Sequence, residues 1–293
     1  MKLLIQNYSN SCSNQPMYLN ECLSKIGVDS KIWNPGVDPL SVYDKLDSER
    51  PDILLTSFQT IHQDLVSYLT NNDQINVVVD ITGIDQNIFN NLNQLIENQN
   101  INCAFFITQD YKFLTNVDYG SRKVVNMLPC LDVFAAKTSV PDYNIQAAIV
   151  SNRVSNKFSE ACGMYETYHK IALADNPDPN FDIQANVLNM NSLYEKYEEV
   201  VLAGDVNFTC SQIFFDGFIK SKKLTVKVPD EQKELFNNVL ATLFRQEEEA
   251  PSLENIKNQI KSNHNCFNRA SQFAKELGEA DISKTLLEVA KQI

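Results

Sequence analysis

Arginine and lysine stand four residues apart in Ser151-Asn152-Arg153-Val154-Ser155-Asn156-Lys157, directly after the apolar run Gln146 to Val150. That order puts both cations where a strand ends and a helix begins, beside the unpaired N–H groups of the helix start. Such a corner suits a diphosphate, because guanidinium, ammonium and free amide groups all favour dense negative charge. Two solvated charges in a polar loop would read the same way. A second polar corner is Gly204-Asp205-Val206-Asn207-Phe208-Thr209-Cys210-Ser211-Gln212, ahead of Ile213-Phe214-Phe215-Asp216-Gly217. There Thr209, Ser211 and Gln212 offer hydroxyl and amide groups at a helix start, and Asp216 follows Thr209 by seven residues. An N-cap leading into an amphipathic helix has the same pattern. For proton transfer the candidates are His62, Asp80, Asp85 and Asp110, each close to the end of a predicted strand. An aspartate in that place serves equally well as a helix cap.

Several chemistries are excluded by missing patterns. The loop after the first predicted strand, Ser9-Asn10-Ser11-Cys12-Ser13-Asn14, has no glycine, so a dinucleotide pyrophosphate lacks the close backbone approach it needs. Neither a Walker A sequence nor a G-x-S-x-G elbow occurs, which argues against P-loop ATPases and α/β-hydrolases. The absence of D-x-D leaves a divalent cation without its usual carboxylate pair. No C-x-x-C occurs among the seven cysteines, and the three histidines have no metal-ligand spacing, so neither a resident metal nor another cofactor is expected.

The elements that must position these residues alternate. Strands are predicted at Lys2 to Asn7, Ser30 to Trp33, Ile53 to Thr56, Ile75 to Asp80, Asn102 to Thr108 and Lys123 to Asn126. Amphipathic helices fall between most of them. The alternation restarts at Gln146 to Val150. It continues through strands at His169 to Ala174, Val187 to Met190, Glu199 to Ala203 and Lys223 to Val228, with helices at Lys157 to Met164, Phe208 to Lys220 and Glu231 to Phe244. Strand–helix alternation at this spacing gives two α/β, Rossmann-like, doubly wound parallel-sheet domains. The division expected is residues 1–140, residues 141–250, and a helical C-terminal tail over 251–293 that packs back on the domains. Ligands of such sheets bind beyond the carboxyl ends of the strands, and a cleft between the halves is the expected place.

Hydrophobic residues make up 43% and charged residues 21% of 293, the balance of a globular chain of two-core length. No apolar run is long enough to span a bilayer, and the N-terminus turns polar too early for a signal peptide, so a cytoplasmic protein is expected. The net charge of −12 disfavours a nonspecific nucleic-acid binder, whose affinity comes from neutralising phosphates. A local group, Lys220, Lys222, Lys223 and Lys227, runs against that trend. Abundant asparagine, isoleucine and lysine suit an AT-rich genome such as that of a low-GC bacterium or a phage.

The chain resembles GT-B glycosyltransferases, and its second half is similar to the CgeB-like branch of the family-1/4 enzymes. The resemblance implies that Arg153 and Lys157 hold the diphosphate of a nucleotide-sugar donor. It implies too that Asp216, at the second position of the family's E-x7-E motif, faces the donor ribose. Thr209 occupies the first position, where the family has glutamate. His264-Asn265-Cys266-Phe267-Asn268-Arg269 resembles a His-Thr-Tyr-x-x-Arg stretch in the tails of that branch. The activity implied is metal-independent sugar transfer to an acceptor hydroxyl. If a phage encodes the chain, hydroxymethylated cytosine in DNA is a possible acceptor and the host cytoplasm its place of action. The alternative is a degenerate GT-B protein that binds a nucleotide or a protein partner without turnover.

Overall fold

The computed structural model describes residues 1–8, 14–111, 118–134, 147–164, 167–173, 178–244 and 253–293. Gln146 and residues 135–142, around the expected division of the halves, lie outside them, as do residues 9–13 of the first loop. The elements begin with β1 (Lys2–Gln6), α1 (Gln15–Lys25), β2 (Asp29–Trp33), α2 (Val42–Glu49) and β3 (Ile53–Ser57). Next come α3 (Gln63–Thr70), β4 (Asn76–Asp80), α4 (Gln86–Asn98), β5 (Cys103–Thr108) and β6 (Val124–Asn126). The second run opens with β7 (Ala147–Ser151), α5 (Asn156–Met164), β8 (His169–Leu173), β9 (Ile183–Ala185) and α6 (Val187–Lys196). It continues with β10 (Glu199–Ala203), α7 (Val206–Thr209), α8 (Gln212–Lys220), β11 (Lys223–Lys227) and α9 (Lys233–Phe244). Three helices close the chain: α10 (Leu253–Asn263), α11 (Cys266–Glu276) and α12 (Ala280–Ala290).

Two units result. The first comprises Met1–Ser9, Gln15–Leu128 and Phe267–Gln292. Its six strands are all parallel, in the order β2-β1-β3-β4-β5-β6. Val77, Val78 and Val79 are buried in β4, as expected of a strand covered on both faces. α4 starts where the Asp85 carboxylate accepts from the Ile88 N–H, and it buries Phe89, Leu92 and Ile96 at helical spacing. Each such side chain contributes about 1.5–3 kcal/mol on leaving water. Phe273 of α11 meets Phe105 edge-on at 6.1 Å between centroids, while Arg269 Nε donates to the Leu128 carbonyl at 2.7 Å. The chain therefore leaves this unit after Leu128 and returns to it at Phe267.

The second unit comprises Asn10–Asn14 and Pro129–Cys266, with Ile293. Its five parallel strands run β11-β10-β7-β8-β9, the first strand in sequence lying at the centre. β7 is buried at every position. Two sequence expectations are corrected here. Val187 to Met190 belongs to a helix, and the strand is the shorter Ile183–Ala185, which pairs with Ile171–Leu173 of β8. A three-residue strand is below the length at which alternation can be read, and the apolar Val-Leu-x-Met beyond it drew the assignment. The helix expected over Phe208 to Lys220 is two, interrupted at Cys210-Ser211, because the Ser211 hydroxyl donates to the Phe208 carbonyl and closes the first turn.

Candidate functional site

The order of the second sheet reverses between β7 and β10, and the carboxyl ends of those strands form its switch point. Ser151 ends β7 and its hydroxyl donates to the Arg153 carbonyl at 2.9 Å, folding the turn that presents the arginine. The Arg153 guanidinium reaches Asp205, beyond β10, at 3.3 Å, yet its side chain remains 69% exposed. Asp205 also accepts the Phe208 N–H at 3.0 Å and caps α7, so its carboxylate is held in place. Gly204 permits this turn: a Cβ there would lie 2.8 Å from the Phe208 ring. Between Ser151 and Arg153, the side-chain carbonyl of Asn152 is enclosed without a hydrogen-bond partner.

Lys157 takes a different direction from Arg153. Ser155 caps α5 by accepting the Phe158 N–H at 3.1 Å, and Lys157 follows in the first turn. Its amine pairs with Glu160 at 2.6 Å and approaches Asp230 at 3.7 Å; the Glu160 bond is the first cause that raises its pKa. Lys157 and Glu160 line a cavity of about 370 Å³ with Lys227, Lys233 and Phe236. In the lysine group, Lys222 pairs with Glu198 and Lys223 with Glu199, so these cations are matched by carboxylates one strand away.

Thr209, Ser211, Gln212 and Asp216 of the second corner are buried. Thr209 donates to the Asp205 carbonyl at 3.0 Å. Gln212 accepts the backbone N–H of Asn14 at 2.9 Å, and its amide donates to Asp216 at 3.4 Å. Asp216 is 1% exposed and its other oxygen accepts the Asp132 N–H at 3.3 Å. The Asp132 carboxylate accepts from the Asn14 side chain at 3.0 Å and from the Phe134 N–H at 2.9 Å. Burial is the main reason that the Asp216 pKa rises to about 7; Lys220 opposes it and neighbouring Asp132 adds to it. Counted strictly, an E-x7-E spacing from Asp216 falls on Phe208, whose ring is packed under Gly204. His264 sits inside this unit, bonded through Nε2 to the Leu243 carbonyl at 2.7 Å and stacked on Phe215.

In the first unit β1, β3, β4, β5 and β6 end on polar residues. Thr56 donates to the Gln6 side chain at 2.5 Å, across the switch between β1 and β3. Asp80 ends β4, is 5% exposed, and accepts through Oδ1 from the Thr82 N–H at 2.8 Å and the Thr82 hydroxyl at 2.6 Å. The same hydroxyl accepts the Gln109 N–H at 2.9 Å, and the Gln109 amide donates to Gln15 at 2.5 Å. Burial raises the Asp80 pKa to about 6 against the lowering by these Thr82 bonds and by Tyr8. The other candidates are placed differently. His62 caps α3 with Nδ1 accepting the Leu65 N–H at 3.3 Å, and Asp85 caps α4. Asp110 is buried, its N–H donating to the Thr108 hydroxyl at 3.2 Å. The sequence reading missed Tyr8, Asn14, Thr82, Asp132 and Asn152. Asn14 and Asp132 are marked only by Gln212 and Asp216, which lie far along the chain.

No protein-family model and no curated protein matches the sequence. Solved structures do resemble the chain. Alr3699/HepE of Anabaena, crystallised with UDP and glucose, shares 10% identity and superposes with a TM-score of 0.55 over 95% of this chain and 99% of its own. The same protein with UDP-glucose gives 0.49 at 10% identity over 100% of both chains. The calicheamicin glycosyltransferase CalG4 gives 0.43 at 11% identity over 94% of this chain and 98% of its own. The first of these likenesses is one of fold: two doubly wound parallel sheets and closing helices, the GT-B type. Among the described residues no helix is long and apolar enough to cross a membrane.

Proposed function

We propose that this chain transfers a sugar from a nucleoside-diphosphate sugar to an acceptor hydroxyl. The observation that carries the reading is Arg153, exposed at the β7–β10 switch point in a fold shared with a protein crystallised with UDP and glucose. Two oxyanions beside a guanidinium that is already aligned by a carboxylate gain charge-assisted hydrogen bonds. As the anomeric C–O bond breaks, its electron pair leaves with the diphosphate, and the same guanidinium stabilises the growing charge. The sequence has no D-x-D pair, so the cation at this step is Arg153 and no metal is invoked.

Asp80 takes the acceptor's proton. Thr82 holds Oδ1 of Asp80 through two hydrogen bonds, and Tyr8 is the further group that bears on the carboxylate. With a pKa near 6, the carboxylate is ionised at neutral pH yet more basic than a solvated one, as a general base should be. The acceptor's oxygen pair then forms the new bond to the anomeric carbon. Glucose transfer to hydroxymethylated DNA fits this chemistry, as does transfer to a carbohydrate or protein hydroxyl; the net charge of −12 favours the latter two. The test is turnover of UDP-glucose. The wild type should release UDP with a rate that climbs through about pH 6, and Asp80→Asn should lose about 10²–10⁴-fold while still binding UDP. Tight UDP binding without any turnover would instead point to a nucleotide-binding module.

A further inference from the structure

Lys157 of α5, Lys227 at the end of β11 and Lys233 at the start of α9 meet around the cavity of about 370 Å³ in the second unit. Val226, Val228 and Phe236 give the same cavity an apolar side. Three ammonium groups crowd this small space in a chain whose net charge is −12. They are matched unevenly. Lys157 bonds Glu160 at 2.6 Å, and Asp230 stands between Lys157 and Lys233, its Oδ1 2.8 Å from the Lys233 amine and 3.7 Å from that of Lys157. Lys233, and Lys157 after it, hold the Asp230 carboxyl below the ordinary aspartate range. Lys227 is half-buried and, among the described residues, makes no ion pair. The Asp230 side chain is 71% exposed. Ion pairs this wet contribute little to stability, so its carboxylate can turn to solvent when a more highly charged anion arrives. Asp230 thus marks the place of an oxyanion between two lysines.

We infer that this cavity binds a small phosphate monoester, its phosphate held by Lys157, Lys227 and Lys233 where Asp230 now sits, and its organic part lying on Val226, Val228 and Phe236. With Asp230 turned away, three ammonium groups face the one carboxylate of Glu160, which leaves two positive charges. A phosphate monoester brings about −1.5 to −2 at pH 7 and matches them. Lysine binds phosphate as a point charge, whereas a carboxylate is gripped best by the planar fork of arginine. Among the described residues no arginine lines the cavity. Its volume lies in the range of small-ligand sites, roughly 300–1,000 Å³. The cavity stands apart from the donor corner, and its occupancy does not require the transferase reading above. Arg153 turns towards Asp205 beyond β10, and Lys157 towards β11 and α9.

Titration calorimetry at low salt with phenyl phosphate, inorganic phosphate and benzoate tests this on the wild type, Lys227→Ala and Asp230→Asn. The wild type should bind phenyl phosphate saturably and roughly tenfold or more tightly than the other two probes. Benzoate lacks the second charge, and inorganic phosphate lacks the ring that would lie on Phe236. Lys227→Ala should lower the affinity for phenyl phosphate about tenfold, the loss expected for one hydrogen bond to a charged group. Asp230→Asn should raise it several-fold, because the competing carboxylate is gone; a merely structural ion pair would give no such gain. Excess UDP should leave phenyl phosphate binding unchanged. A wild type without saturable binding of phenyl phosphate would overturn the site. So would an Asp230→Asn variant that binds no better than wild type, or a folded Lys227→Ala variant that binds as well. Displacement by UDP would overturn it too, and would give the cavity to the donor.

Discussion

Asp216 shows how a single buried carboxyl shapes the pH response of the second unit. Burial holds its pKa near 7, above the ordinary aspartate value of 3.8, so the native state binds this proton more tightly than the unfolded chain does. Its stabilising contribution is complete below about pH 4 and is lost as the pH rises through about 7, on the order of 4 kcal/mol at most. Asp80 acts with the same sign through about 6. The melting temperature should therefore fall between pH 5 and pH 8. In Asp216→Asn that fall should shrink, since the side chain no longer titrates but can still accept from the Asp132 N–H. A variant whose melting temperature tracks the wild type across this range would show that the knot of Asn14, Asp132, Gln212 and Asp216 does not carry the proton. Residue types alone placed Arg153 beyond a strand end as a candidate anion-binding group, and the structure puts it there, exposed beside Asp205. They could not show Asp216 enclosed, because Asp132, which donates to it, lies 84 positions away, and Asn14, which bonds Asp132 and Gln212, lies about 200 away.

Element order was the most legible level. β4 could be read from Ile75 to Asp80 because a run of β-branched residues covered on both faces leaves few other solutions. The start of α4 could be read at Asp85, whose carboxylate does cap it, and this is the role the sequence left open beside catalysis. What escaped were short elements, such as Ile183–Ala185, where three residues carry no periodicity, and the break at Cys210-Ser211, which a single hydroxyl imposes. The loop after β10 offers a direct check on how tightly an element end holds the site. Gly204→Ala places a methyl 2.8 Å from the buried Phe208 ring, and overpacking of this kind costs about 1–3 kcal/mol. Gly163→Ala, in α5 with open space around the added methyl, should be neutral or stabilising by up to ~1 kcal/mol. Urea unfolding of the two variants gives the comparison; equal effects would mean that the Gly204 turn tolerates displacement and does not fix Asp205.

Over the whole chain, each unit carries its own candidate groups. The first presents a buried carboxylate at its strand ends, and the second an exposed guanidinium beside an enclosed amide. The chain bears a net charge of −12, so an anionic donor must be drawn by local groups against the general field. Arg153 is the group the account relies on for this. Titration calorimetry of UDP into the wild type and Arg153→Ala is therefore the measurement that bears most directly on it. Saturable binding to the wild type is expected, with an affinity lowered roughly tenfold or more in the variant, whose fold should be intact because this side chain is largely solvated. Equal affinity in the two proteins would contradict it, as would a wild type that does not bind UDP.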